Sequence, residues 1–181
     1  MKVTETNLSG CIVFEPIIFN DERGYFFESY NTRLFNEAVG KEIKFIQDNQ
    51  SFSKRGVLRG LHFQKGEFSQ AKLVRVIQGE VLDVAVDIRQ DSPTFGRHFS
   101  IVLSSENKKQ LFIPRGFAHG FAVLSEEAQF FYKCDNYYNK TSEGGIAYND
   151  PDLHIDWKLS KDELVLSEKD LELPFLKTCN L

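Results

Sequence analysis

The chain has 181 residues, 41% of them hydrophobic and 27% charged, with a formal net charge of −4; this is the size and composition of one globular domain with a core of its own. No block of like charge is present, which argues against nucleic acid as a partner, and no apolar run is long enough to span a membrane. Seventeen phenylalanines against one methionine and one tryptophan lean the chain toward β structure.

In chain order, CIVFEPIIF (11–19) reads as a strand interrupted by Pro16, which confines it to an edge or a bulge. NDERG (20–24) is a turn, and YFFESY (25–30) a second strand. NTRLFNEAVG (31–40) is the best helix: Asn31 or Thr32 can cap it, Leu34, Phe35 and Ala38 share a face, and Gly40 can end it. Short strands then dominate: KFIQDNQSFS (44–53), GVLRGLHFQ (56–64), two within AKLVRVIQGEVLDVAVDIR (71–89) joined near Gly79, HFSIVLS (98–104), QLFIP (110–114), FAHGFAVL (117–124) and AQFFYKCDNYY (128–138). The turn signals KGEFSQ, QDSPTFG, SSENKK and LSEE separate them. Strands at this spacing predict an all-β sandwich or barrel. From residue 139 onward the pattern loosens, and pieces such as LSEKDLELP (166–174) read as helical turns. No repeat, low-complexity tract or linker divides the chain, so residues 1–181 read as a single domain. MKVTETNLSG lacks the apolar core of a signal peptide. Cys11, Cys134 and Cys179 are scattered with no CxxC, which points to no disulfide framework and to a reducing cytoplasm.

Of the four histidines, His98 and His154 sit among polar neighbours and read as surface residues. His62 and His119 lie in apolar stretches. In IPRGFAHGF (113–121), the pattern Pro-x-Gly-x-x-His resembles the second signature of cupins, small jelly-roll barrels. Many cupins bind a metal there, with His-x-His and a carboxylate from a first signature. The matching place here reads LHFQKGE, where Phe63 and Gln64 follow His62. Two histidines are too few ligands for a protein metal site, so the expectation is no metal and no cofactor. His62 is then free to act as a base.

A histidine titrates near neutral pH and can accept a proton there. A carboxylate would fix its tautomer; Asp83 and Asp170 are both candidates, and spacing does not choose between them. Lys72, beside a strong apolar run, can stabilise an oxyanion if it points inward. Tyr132 has a phenol able to donate a proton. Base, acid and cation together suit abstraction of a proton α to a carbonyl. Arg23, Arg59, Arg75 and Arg115 fall within or beside the strands, and arginine suits phosphate. Tyr137 and Tyr138 offer flat faces for stacking.

GYFFESYN, FIQDNQSFS, GVLRGLHFQ, QAKLVRVIQGEVLDVAVDIR, SPTFG, IPRGFAHGF, FYKCDNYY and NDPDLHIDW occur in that order. Together they closely resemble the dTDP-4-dehydrorhamnose 3,5-epimerase family, a branch of the cupin superfamily, over nearly the whole chain. The resemblance implies an all-β, cupin-type jelly roll with a few short peripheral helices. It implies metal-free epimerisation of dTDP-4-dehydro-6-deoxy-D-glucose at C3 and C5, giving dTDP-4-dehydro-L-rhamnose for bacterial surface polysaccharide. By the same resemblance His62 removes a proton, Lys72 stabilises the enolate, Tyr132 returns a proton from the opposite face, and Asp170 orients His62. Arg23, Glu28, Gln47, Asp48, Asn49, Arg59, His119, Glu143 and Lys169 match positions lining the nucleotide-sugar site, and Tyr138 matches the residue that stacks on thymine. The family is dimeric, with N-terminal strands entering the partner's sheet, so Arg23 and Glu28 are candidates for the neighbouring subunit's site. The alternatives are a mono-epimerase acting at C3 or C5 only, a metal-dependent oxygenase, and a sugar-binding module.

Overall fold

The computed structural model describes residues 1–181. In chain order its elements are β1 (Lys2–Glu5), β2 (Ile12–Glu15), β3 (Phe19–Asp21), β4 (Gly24–Phe26), α1 (Thr32–Val39), β5 (Gln47–Lys54), β6 (Leu58–Gln64), β7 (Lys72–Gln78), β8 (Glu80–Asp87), β9 (His98–Ser104), β10 (Gln110–Ile113), β11 (Phe117–Val123), β12 (Glu127–Cys134), β13 (Glu143–Gly145) and α2 (Glu168–Leu171). Two antiparallel sheets dominate, one in the order β1-β2-β10-β7-β12-β5, the other β13-β6-β11-β8-β9. The fold is thus the all-β, cupin-type architecture expected, with two short helices at its edge. No helix is long and apolar enough to cross a membrane.

The two sheets face each other across a shared core. Val74, Leu111 and Phe130 from the first meet Val81, Ala85 and Phe121 from the second. Strand β8 shows why its sequence is apolar nearly throughout. Val81 and Ala85 point between the sheets, while Leu82, Val84 and Val86 pack on the outer face under the C-terminal segment, against Leu153 and Trp157. Both of its faces are buried, so strict alternation disappears. Helix α1 covers the outer face of the first sheet, with Phe35 against Phe14, Leu73 and Phe112. Its ends match expectation: the Asn31 side chain accepts from the Leu34 amide at 3.2 Å, and Gly40 closes the helix at φ 73°.

Three elements differ from the sequence reading. Strand β4 spans only Gly24–Phe26, and with β3 it forms a separate two-stranded hairpin. Strand β1 was not expected, because all four of its residues are exposed and no apolar alternation marks them. Strand β13, read as loop, is Glu-Gly-Gly recruited by pairing with β6, a tertiary effect without a local signal.

Candidate active site

Strand β6 carries both Arg59 and His62, and an irregularity decides where they point. Against β11, Arg59 lies opposite Phe121 and His62 opposite His119. Three steps along β6 therefore match two along β11, and the register shifts between them. The extra residue puts Arg59 and His62 on one face, where regular alternation would separate them. The shift occurs at Gly60, whose φ is 135°; a Cβ there would meet the Gly120 Cα at 2.6 Å. His62, His119, Arg59 and Phe121 line one cavity of about 370 Å³ between the sheets.

Asp170 approaches His62 from α2. Its Oδ1 lies 2.5 Å from His62 Nε2. A carboxylate only accepts, so in the neutral ring Nε2 carries the proton and Nδ1 keeps its lone pair for a substrate. Burial pushes the Asp170 carboxyl up, but hydrogen bonding and charge from His62, with the Ser167 hydroxyl and the Lys169 charge, bring it below its usual value. Of the two candidate carboxylates, the one that meets His62 is Asp170. Asp83 instead lies 2.9 Å from His119 Nε2, and both partners are buried.

The opposite wall comes from β5, β7 and β12. Tyr132 and Lys72 project from the first sheet into the same cavity, with the Lys72 ammonium 5.9 Å from the Tyr132 ring centroid. Burial raises the Tyr132 phenol to about 12, with Cys134 adding and Arg59 opposing, so the hydroxyl stays protonated. Burial lowers the Lys72 ammonium; a Cys134 thiolate would work against that, as do the Asp83 and Glu143 carboxylates. Strand β5 turns a polar edge inward: Gln47, Asn49, Ser51 and Ser53 are the more buried residues, and Phe52 is exposed. Asn49 and Ser51 line the cavity, and the Ser53 hydroxyl accepts from Arg59 Nε at 3.1 Å. Ser51, Ser53, Gln50, Phe130 and Ser167 escaped the sequence reading. The sequence carried no signal for β5: its exposed residues Asp48, Gln50 and Lys54 are as polar as the more buried ones, and its one apolar residue, Phe52, faces out.

At the rim, Tyr138 is half-exposed and its hydroxyl donates to Glu143 at 3.1 Å. Lys169 pairs with the same carboxylate at 2.5 Å. Gln47 accepts from the Tyr138 amide at 3.3 Å and donates to Asn49 at 3.1 Å, which ties the tyrosine's loop to β5.

Several expected residues lie elsewhere. Asp48 points to the outer face, where it pairs with Lys133 at 3.0 Å; strand alternation sends it away from Gln47 and Asn49. Its side chain is not part of this cavity. Arg23 pairs with Asp21 on the exposed β3–β4 hairpin, and Glu28 accepts from Asn31 at 3.2 Å beside a separate apolar cavity. Neither reaches the His62 cavity of its own chain. Arg75 stacks on Phe131 on the outer face, and Arg115 pairs with Asp135. No three His, Cys, Asp or Glu side chains gather as a set of metal ligands.

A sequence model of the family described as dTDP-4-dehydrorhamnose 3,5-epimerase matches residues 5–178. The chain is 54% identical over 176 residues to the dTDP-4-dehydrorhamnose 3,5-epimerase of Salmonella typhimurium, covering 97% of this chain and 96% of that one. Its fold superposes with a TM-score of 0.95 on the crystal structure of the Elizabethkingia anophelis dTDP-4-dehydrorhamnose 3,5-epimerase, at 56% identity over 98% and 97% of the two chains. The dTDP-6-deoxy-D-glucose-3,5-epimerase of Legionella pneumophila, solved in complex with dTDP-4-keto-L-rhamnose, gives a TM-score of 0.94 at 49% identity over 98% and 93%. The chain therefore belongs to the dTDP-4-dehydrorhamnose 3,5-epimerase family, a family of isomerases.

Proposed function

We propose that this cavity epimerises dTDP-4-dehydro-6-deoxy-D-glucose at C3 and C5, giving dTDP-4-dehydro-L-rhamnose. The observation that carries the reading is the base and the acid on opposite walls. His62 comes from one sheet, Tyr132 from the other, and Lys72 stands beside the phenol. The 4-keto group acidifies the hydrogens at C3 and C5. His62 Nδ1 takes a proton from one face, and the C–H electron pair moves into the ring to form the enolate. The Lys72 ammonium stabilises the oxygen on which the charge develops. Tyr132 delivers its proton to the opposite face of the same carbon, and the configuration inverts. Solvent then returns a proton to the phenol and removes one from the imidazole. One such cycle serves each carbon.

Arg59 and Lys169 are the cations at hand for the diphosphate, with Glu143 fixing Lys169 and Tyr138 stacking on the thymine. The test is turnover of the 4-keto sugar nucleotide in deuterated water. Deuterium is expected at both C3 and C5. Label at one carbon only would make the enzyme a mono-epimerase, and no label would remove the mechanism.

The functional unit in this reading is a homodimer. The β3–β4 hairpin joins neither main sheet and exposes Phe19 and Phe26, at 61% and 71%. Large apolar side chains so exposed on a projecting arm suit burial against a second copy. The arm would bring Arg23, and beside it Glu28, to the partner's cavity.

A further inference from the structure

The wall behind the cavity contains a charge that the fold itself does not need. Asp83 is completely buried on β8, between the inward-facing core residues Val81 and Ala85. An apolar side chain at this position would continue that core, whereas a carboxylate there must be desolvated. One oxygen accepts from His119 Nε2–H; the other, Oδ1, is one of only two buried polar side-chain atoms without a hydrogen-bond partner in the molecule. Lys72, across the interior on β7, is equally anomalous: its ammonium projects into the cavity but makes no ion pair with any carboxylate.

We propose that Asp83 is a positioning residue with two tasks: its unpartnered oxygen supplies the countercharge that keeps Lys72 protonated, and its paired oxygen fixes His119 as a hydrogen-bond acceptor. This rests on the epimerase reading and extends it. The first task follows from charge. A carboxylate facing the interior favours the ammonium form that burial disfavours. Without it, the group that must stabilise the enolate would tend toward the neutral amine. The second follows from valence. His119 has one N–H when neutral, and Asp83 takes it. Nδ1, which has no protein partner, then offers only a lone pair. His119 lines the cavity and stacks near Phe130, so what it recognises is a sugar hydroxyl and not the enolate oxygen. Burial lowers His119 more than Asp83 raises it, which keeps the ring neutral.

The titratable groups around this carboxylate are His119 on β11, Lys72 on β7 and Cys11 ahead of β2; Cys134 on β12 and Glu143 on β13 also act on Lys72. Both thiols are pushed up by burial, to about 12 and about 11, so Cys134 acts on Lys72 only once it ionises, and near neutral pH the carboxylates Asp83 and Glu143 are the charges that favour the ammonium.

Asp83→Asn keeps the shape and can still accept from His119, but it removes the charge. We expect kcat for deuterium exchange to fall about 10- to 100-fold, with little change in KM. The alkaline limb of the kcat profile, where Lys72 deprotonates, should move down by about one pH unit or more. An unmoved limb, whatever the rate, overturns the countercharge. The unaltered protein gives a second readout, independent of turnover. Nitrogen-15 NMR of His119 should show a proton on Nε2 and none on Nδ1; the reverse tautomer, or a doubly protonated ring at pH 7, overturns the acceptor role. If the wild-type protein exchanges deuterium at neither carbon, the epimerase reading fails instead, and the two failures are distinct.

Discussion

Asp170 reaches His62 from 108 positions further along the chain, and the pair then behaves as one group. Replacing His62 with Ala is expected to abolish deuterium exchange at both carbons, a loss of about 10²- to 10⁴-fold or more. Tyr132→Phe keeps the ring and removes only the hydroxyl. It should leave proton abstraction measurable as exchange while epimerisation falls much further, because the opposite face loses its donor. Equal loss of the two rates would contradict the division of labour between the walls. At this scale the sequence was informative where chemistry and spacing coincide. His62, Lys72 and Tyr132 sit in strongly patterned strands and could be named from it. Spacing alone assigned neither Asp170 nor Asp83 to its histidine, because pairing across sheets and tails is not encoded locally; the family resemblance, not the residue pattern, pointed to Asp170 as the partner of His62. Asp48 lies between two inward-facing residues, and the strand's alternation turns its side chain out.

Among the elements, the turn joining β8 to β9 is organised around Asp87. This buried carboxylate accepts from the Arg89 guanidinium, with Nε at 2.8 Å, and from the Ser92 and Thr94 hydroxyls, each at 2.6 Å. Burial alone would raise its pKa; the hydrogen bonds prevail and bring it from 3.8 to about 2. A carboxylate held lower in the folded than in the unfolded state stabilises the fold above the unfolded value. That contribution is lost as pH falls through the folded value, here between about 4 and about 2. Asp87→Asn should therefore cost about 2 kcal/mol at pH 7. The difference from wild type, read from urea unfolding, should shrink toward zero near pH 2. A difference that persists there would mean that the turn depends on geometry and not on charge. The sequence reading marked QDSPTFG as a turn, and helix α1 with both caps was legible too, because each rests on local hydrogen-bonding residues. Strands β1 and β13 were not, since their pairing partners alone define them.

For the whole molecule, the proposed dimer makes a prediction about mixing. If Arg23 serves the partner's cavity, Arg23→Ala and His62→Ala chains are each inactive in their own dimers. Co-expressed, they should form mixed dimers with one intact site, so about a quarter of the wild-type specific activity returns when half of all dimers are mixed. No recovery, with mixed dimers verified by mass, would place Arg23 in its own subunit's site, and a fully active Arg23→Ala dimer would place it outside any site. Removal of residues 19–26 should yield monomers by light scattering.

The offset at Gly60 bears on how this active site can change. A β strand assigns side chains to two faces by odd and even position, so it behaves as a parity code. One inserted residue reverses the parity of everything beyond it. Arg59 and His62, of opposite parity, share a cavity only because that reversal lies between them. Deleting Gly60 or Leu61 would leave Arg59 and His62 two positions apart and of like parity, so a regular strand would then hold both on one face without the offset; it is at their present spacing of three that the offset is required. Gly60 and Gly120 lie so close that neither admits a side chain without moving the other strand. The motif Leu-Arg-Gly-Leu-His is therefore a unit of geometry as much as of chemistry, and grafting Arg59 and His62 onto a regular strand would separate them.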